Sequence, residues 1–286
     1  MVRTTALVLG GGGYTAAAWE IGMLAGLADA GVDLAAADTV IGTSAGAITG
    51  ARLTAGPTVH ELYERELSGQ RDETEFTIGL GTTVRFLWAV LGSRDPRTSR
   101  QRIGRMALTA RTVTEAEALD AVDALLPTQT RDWPGERLHV AAVDAHSGDR
   151  CLFGAGSGAG LHRAVAASCA VPGMWPPVAI GGRRWVDGGI WSPVNVDLAH
   201  GHQKVVALAP LPKAPGPGPG AAEEAAMLRR EGAEVALLTP DVAARRAFGR
   251  NPLDQARRPA VARAGHAQAA AHAESVARIW NALDRA

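Results

Sequence analysis

The sequence predicts an α/β fold with a mainly parallel central sheet and a helical insertion. Three observations carry the prediction. Short apolar runs alternate with amphipathic helical stretches along most of the chain. Glycine-rich turns fall where an apolar run passes into a helix, at Gly10–Gly13 and at Gly42–Gly46. Between about Ser68 and Gln129 the pattern changes to one with no clear strand. At 286 residues the chain suits one large domain with a core that needs no disulfide staples.

Ala6–Leu9 reads as a first strand, followed by four glycines and a helix from about Ala17 to Ala30 with Trp19, Ile21, Leu24 and Leu27 as its apolar positions. Gly31 is placed to end that helix in a left-handed conformation. Thr39–Ile41 is a second strand, Ala45–Leu53 a second helix, and Val59–Leu67 a third after Pro57. In the insertion, Thr114 and Glu117 form a capping box for a helix over 115–125. Insertions of this kind serve as lids or substrate walls. The apolar run Phe76 to Leu91, which includes Phe86, Leu87, Trp88 and Val90, leaves two readings open: an interfacial or acyl-contacting segment, and a core helix.

Strands resume at Leu138–Asp144 and Arg150–Phe153, joined by the turn His146-Ser147-Gly148-Asp149. A helix at Leu161–Ala167 precedes a proline-rich stretch, and Gly181-Gly182 marks a two-residue hairpin between Val178–Ile180 and Arg183–Val186. Val205–Ala209 is a further strand. Residues 211–286 then comprise a Pro/Gly connector, one strand at Glu234–Leu238 and a long Ala/Arg helix from about Pro259 to Ala286, expected to pack on the same domain.

Lys+Arg and Asp+Glu both total 29, so no net field favours nucleic acid. Two cysteines, Cys151 and Cys169, are too few for a disulfide framework or a four-cysteine zinc site, and read as buried structural thiols. The eight histidines show no metal-ligand spacing; His200 and His202 read as solvated helix-end residues. No metal or cofactor is expected. The N-terminus lacks the apolar stretch of a signal peptide, and no run approaches the roughly 18 apolar residues of a membrane span, so a cytoplasmic location is expected.

Gly42-Thr43-Ser44-Ala45-Gly46 lies between a strand and a helix, the setting of a nucleophile elbow. A sharp turn there projects the Ser44 hydroxyl, and glycines are needed where flanking backbone passes close by. The bland alternative is a tight turn whose serine caps the helix. Gly10–Gly13 forms a nest of amides suited to an anion. The dinucleotide fingerprint fails, because the sixth residue counted from Gly10 is Thr15 and from Gly11 is Ala16. No Gly-Lys-Ser/Thr follows, so a P-loop is excluded, and an oxyanion hole beside Ser44 is the consistent reading. Asp187-Gly188-Gly189 follows a strand directly, placing a carboxylate at a sheet edge with room for the chain to turn away.

Together these residues resemble the patatin-like phospholipase family over about residues 6 to 210. The matching segments are Leu9 to Gly13, Trp19 to Leu24, Gly42 to Gly46, Ala167 to Gly173 with Pro176-Pro177, and Asp187 to Gly189. The resemblance implies a three-layer α/β/α sandwich and a serine acyl hydrolase (phospholipase, lysophospholipase or esterase) that needs no cofactor. Ser44 would be the nucleophile, Asp187 its general base, and the Gly11, Gly12 and Gly13 amides the oxyanion donors. Gly42 and Gly46 would shape the elbow, and Gly188 and Gly189 would complete the dyad motif. The implied partner is a lipid or acyl ester, with transient contact to a membrane surface. In one place the chain departs from the family: Tyr14-Thr15-Ala16 stands where members commonly carry a basic residue and a further glycine. Two alternatives remain, a non-catalytic acyl-binding protein and a hydrolase using a Ser–His–Asp triad.

Overall fold

The computed structural model describes residues 4–70, 93–127, 132–214 and 216–281. The apolar segment 76–91 falls outside these residues. Strands β1 (Thr5–Leu9), β2 (Thr39–Gly42), β3 (Leu138–Asp144), β4 (Arg150–Phe153), β5 (Val178–Ile180), β6 (Arg183–Asp187), β7 (Lys204–Leu208) and β8 (Glu234–Leu238) form one sheet. Its order is β5-β6-β3-β2-β1-β7-β8, with β4 paired to β3. The run from β3 through β2, β1 and β7 to β8 is parallel, while β4, β5 and β6 pair antiparallel.

Of the parallel strands, β1, β2, β3 and β7 are buried on both faces, which is why they read as continuous apolar runs. Alternation along β1 sorts the core into two layers. Leu7 and Leu9 face the side covered by α1 (Gly13–Asp29), α2 (Ala45–Thr54), α3 (Val59–Ser68), α6 (Leu161–Ser168) and α9 (Arg258–Ala269). Ala6 and Val8 face α7 (Ala221–Arg230), with Ala221, Ala225 and Leu228 packed beneath. The result is the expected α/β/α sandwich. Helices α4 (Pro96–Thr109) and α5 (Glu115–Leu125) lie in the connection from α3 to β3, and the Thr114/Glu117 capping box is present.

The structure corrects the C-terminal expectation. The long helix over 259–286 is two helices, α9 and α10 (Ala273–Trp280). A straight Ala-rich helix would bury little. The turn after Ala269 swings Val276 into the core, and the Trp280 indole donates to the Asp33 carbonyl at 3.0 Å. Helices α7 and α8 (Val242–Phe248) flank β8 in a stretch where the sequence sets no helix bounds, and Asp241 caps α8 by accepting from the Ala244 amide at 2.7 Å. Helix α9 packs along α1, where the buried Trp19 indole donates to Gln268 Oε1 at 2.9 Å. Helix α1 starts four residues before the expected position, because Tyr14-Thr15-Ala16 enters its first turn.

Candidate active site

Strand pairing brings Ser44 and Asp187 together. Val140 on β3 pairs with Gly42 on one edge and Phe153 on the other, while Ala142 pairs with Asp187 and Cys151. β4 therefore holds one edge of β3, and β2 and β6 share the opposite edge. β2 runs parallel to β3 and β6 antiparallel, so their C-terminal ends meet there with only Ala141 between the paired positions. Two turns separated by 143 residues in sequence leave the sheet at one point.

The first turn is the elbow. A Cβ at Gly46 would stand 2.2 Å from the Leu9 carbonyl oxygen, and one at Gly42 would stand 2.5 Å from the Ala47 Cα. The helix α2 can pack this close to β1 only over glycine. Gly46→Ala should therefore lower stability by at least about 1–3 kcal/mol, as overpacking against immovable backbone does, and a shifted denaturant midpoint would register it. Ser44 itself has φ 54° and ψ −118°, a backbone conformation that a side chain occupies only when its surroundings impose it. Its amide donates to the buried Ser168 Oγ at 2.8 Å. The capping alternative fails: the hydroxyl makes no bond to the helix end and instead donates to Asp187 Oδ2 at 2.8 Å.

Asp187 is 5% exposed, and its Oδ1 accepts from the Gly189 amide at 2.7 Å. Burial raises its pKa to about 6, against the opposing pull of the Gly189 amide and the Ser44 hydroxyl. Gly188 is required because a Cβ there would meet the Ala141 carbonyl at 2.4 Å.

The glycine loop follows β1. Gly12 and Gly13 have φ of 145° and 71°, and among the described residues no hydrogen bond consumes their amides. Gly11 corrects the expectation: its amide donates to the Pro193 carbonyl at 2.7 Å, leaving Gly12 and Gly13 as the available donors. The departure at Tyr14-Thr15-Ala16 has a structural counterpart. Thr15 is buried, and its amide donates to the Pro252 carbonyl at 3.1 Å, a place with no solvent for a basic side chain.

A cavity of about 520 Å³ opens beside the pair, lined by Gly12, Gly13, Ser44, Asp187 and a largely apolar wall. Ile48 of α2, Ala121, Val122 and Leu125 of α5, and Val171, Met174 and Trp175 contribute that wall. One part is polar: buried Arg258 grips Glu66 through two 2.8 Å hydrogen bonds, with Arg52 at 3.9 Å from Glu66. Cys169 also lines the cavity rather than lying in the core, and is only partly buried. Burial and the neighbouring Asp187 carboxyl push its thiol pKa up, so it stays protonated at neutral pH. The candidate histidines turn elsewhere: His200 to Glu231, His202 to Thr39, His266 to Asp29 and His272 to Gln268. The sequence marks Ser168 with no role and reads Cys169 as a buried structural thiol, although both fall in the Ala167–Gly173 segment that carries the resemblance.

The fold and site define an α/β protein with a strained serine hydrogen-bonded to a buried aspartate beside an apolar cavity. A family model described as patatin-like phospholipase matches residues 7–200, and the chain belongs to that family. Among solved structures, VipD from Legionella pneumophila is similar at 14% identity and a TM-score of 0.49, covering 96% of this chain and 67% of that one. The type III effector protein ExoU is similar at 17% identity and a TM-score of 0.38, covering 95% of this chain and 54% of that one. This chain thus spans about half the length of the ExoU chain. No curated protein matches at a significant level. Among the described residues no helix is long and apolar enough to cross a membrane.

Proposed function

We propose that the chain is a serine hydrolase that cleaves lipid acyl esters through a Ser44–Asp187 dyad and an acyl-enzyme. The 2.8 Å hydrogen bond from the Ser44 hydroxyl to a buried carboxylate carries this reading. Asp187 takes the hydroxyl proton as Ser44 Oγ attacks the acyl carbonyl. The tetrahedral oxyanion is met by the Gly12 and Gly13 amides, which are fixed before reaction and need no reorganisation. The protonated Asp187 then returns its proton to the departing alcohol. Water, activated by the same carboxylate, releases the acyl group. The apolar wall suits an acyl chain, and Leu211, 46% exposed and lining the cavity, suits brief contact with a lipid surface.

The engaged Gly11 amide favours a second reading, an acyl-binding protein with an impaired oxyanion hole. A fluorophosphonate separates the two. A hydrolase is labelled covalently at Ser44 and turns over esters in a panel of phospholipids and chain lengths. A binding protein gives neither result, and its absence of labelling would sink the proposal.

The base also sets a pH dependence. Only the ionised carboxylate accepts a proton, and Asp187 ionises at about 6. kcat/KM should therefore rise through a single limb near pH 6 and level off above it. That value lies close to an imidazole's, so the limb is assigned by substitution. It should persist in His202→Gln, and its loss there would point to histidine.

A further inference from the structure

The sheet holds β2 and β6 in register only as far as Gly42 and Asp187. Ser44 lies two residues beyond its ladder, so something other than strand pairing must set the distance between the two turns. Asn195 stands there. It is fully buried, and its φ of 59° makes it, with Ser44, one of two non-glycine residues of positive φ among those described. Its Nδ2 donates to Thr43 Oγ1 at 3.0 Å, to the Gly188 carbonyl at 3.3 Å and to the Ser192 carbonyl at 2.6 Å. Thr43 immediately precedes Ser44, and Gly188 immediately follows Asp187. One carboxamide thus bridges the Thr43 hydroxyl, on the nucleophile turn, and the Gly188 carbonyl, on the base turn, across the 2.8 Å Ser44–Asp187 contact.

The carboxamide is itself held from behind. Its Oδ1 accepts from Arg150 Nη1 at 2.7 Å, which fixes which end of the amide faces the turns. Arg150 pairs with both oxygens of Asp197, at 2.8 and 2.6 Å, and its guanidinium lies over the Trp191 ring at 4.7 Å. Asparagine suits the place for two reasons. It tolerates the left-handed backbone better than most residues, and it offers donors and an acceptor on one short side chain. Aspartate would keep the shape and lose both donors.

We infer that Asn195 is a positioning residue that holds the nucleophile turn and the base turn at reacting distance, an inference that rests on the dyad reading above. A displacement of about 1 Å at a reacting pair costs on the order of 10²-fold in rate. The test uses Asn195→Asp, Thr43→Val and Thr43→Ser, each measured for kcat and KM on a soluble p-nitrophenyl ester, fluorophosphonate labelling rate and melting temperature. Asn195→Asp and Thr43→Val should lower kcat by about 10- to 100-fold with KM changed little, and slow labelling in proportion. Thr43→Ser restores the acceptor oxygen and should recover most of the loss. A lowered melting temperature with wild-type kcat per folded molecule would reduce Asn195 to a structural residue and overturn the inference. Should Asn195→Asp fail to fold, the Thr43→Val and Thr43→Ser pair decides on the same criteria. A wild-type chain that is not labelled at Ser44 overturns the dyad reading and the inference with it. Labelling that proceeds equally well in wild type and Thr43→Val overturns the inference alone.

Discussion

Ser44→Ala should reduce acyl-ester turnover by at least about 10³-fold and abolish fluorophosphonate labelling, because Ser44 carries the hydroxyl that is hydrogen-bonded to the base. Cys169 offers an alternative nucleophile beside Ser44, and its thiol is held protonated by burial and by Asp187. The fold should survive. Ser44 is not in the hydrophobic core, its hydroxyl donates to Asp187 at the cavity and meets the Cys169 thiol there, and the Ser168 contact uses the backbone amide, which alanine keeps. Ser44→Gly offers a companion measurement. Glycine accepts a φ of 54° without strain, so this variant should match or exceed wild-type stability while being equally inactive. Stability traded for a reactive geometry is expected of an active site. A Ser44→Ala protein that hydrolyses p-nitrophenyl esters at the wild-type rate would exclude Ser44 as nucleophile.

Asp187→Asn should cost on the order of 10²–10⁴ in kcat by removing the base, and should erase the pH limb near 6. Its effect on stability has the opposite sign. The folded-state pKa of about 6 lies above the 3.8 of an aspartate in water. The folded protein therefore binds more protons between those values, and stability falls as pH rises through that window. Above about pH 6 the full cost of a buried charge is present, with an upper bound of about 3 kcal/mol. Asparagine carries no charge, so Asp187→Asn should unfold at a higher temperature than wild type at pH 8 and show no such advantage at pH 4. Single replacements of His200, His202, His266 and His272 should leave most activity in place, since each bonds away from Ser44. Loss of turnover in one of them, with turnover kept in Asp187→Asn, would reinstate a Ser–His–Asp triad.

Local pattern determined much of this molecule. The strands from β1 to β8, the capped helix at 115–125, the Gly31 helix end with its φ of 80° and the Gly181-Gly182 hairpin each depend on residues a few positions apart. Periodicity and turn chemistry report such interactions directly. The same holds for Gly42 of the elbow, which Ala47 a few residues on crowds, whereas Gly46 is demanded by the passing Leu9 carbonyl of β1. Where packing outweighed propensity, the sequence misled: an Ala-rich run predicts one long helix, and burial of Val276 breaks it in two.

Only the tertiary structure decided what the site contains. Its decisive contacts join residues far apart in the chain, and their geometry follows from strand register rather than from neighbouring residues. Ser44 meets Asp187 because β2 and β6 end head to head on one edge of β3. Gly11 reads from the sequence as a donor like its neighbours, yet its amide is engaged by Pro193, far along the chain. Ser168 and Asn195 carry no pattern that marks them as polar anchors. They became such when folding buried each beside a turn whose backbone or side chain needed a hydrogen-bond partner.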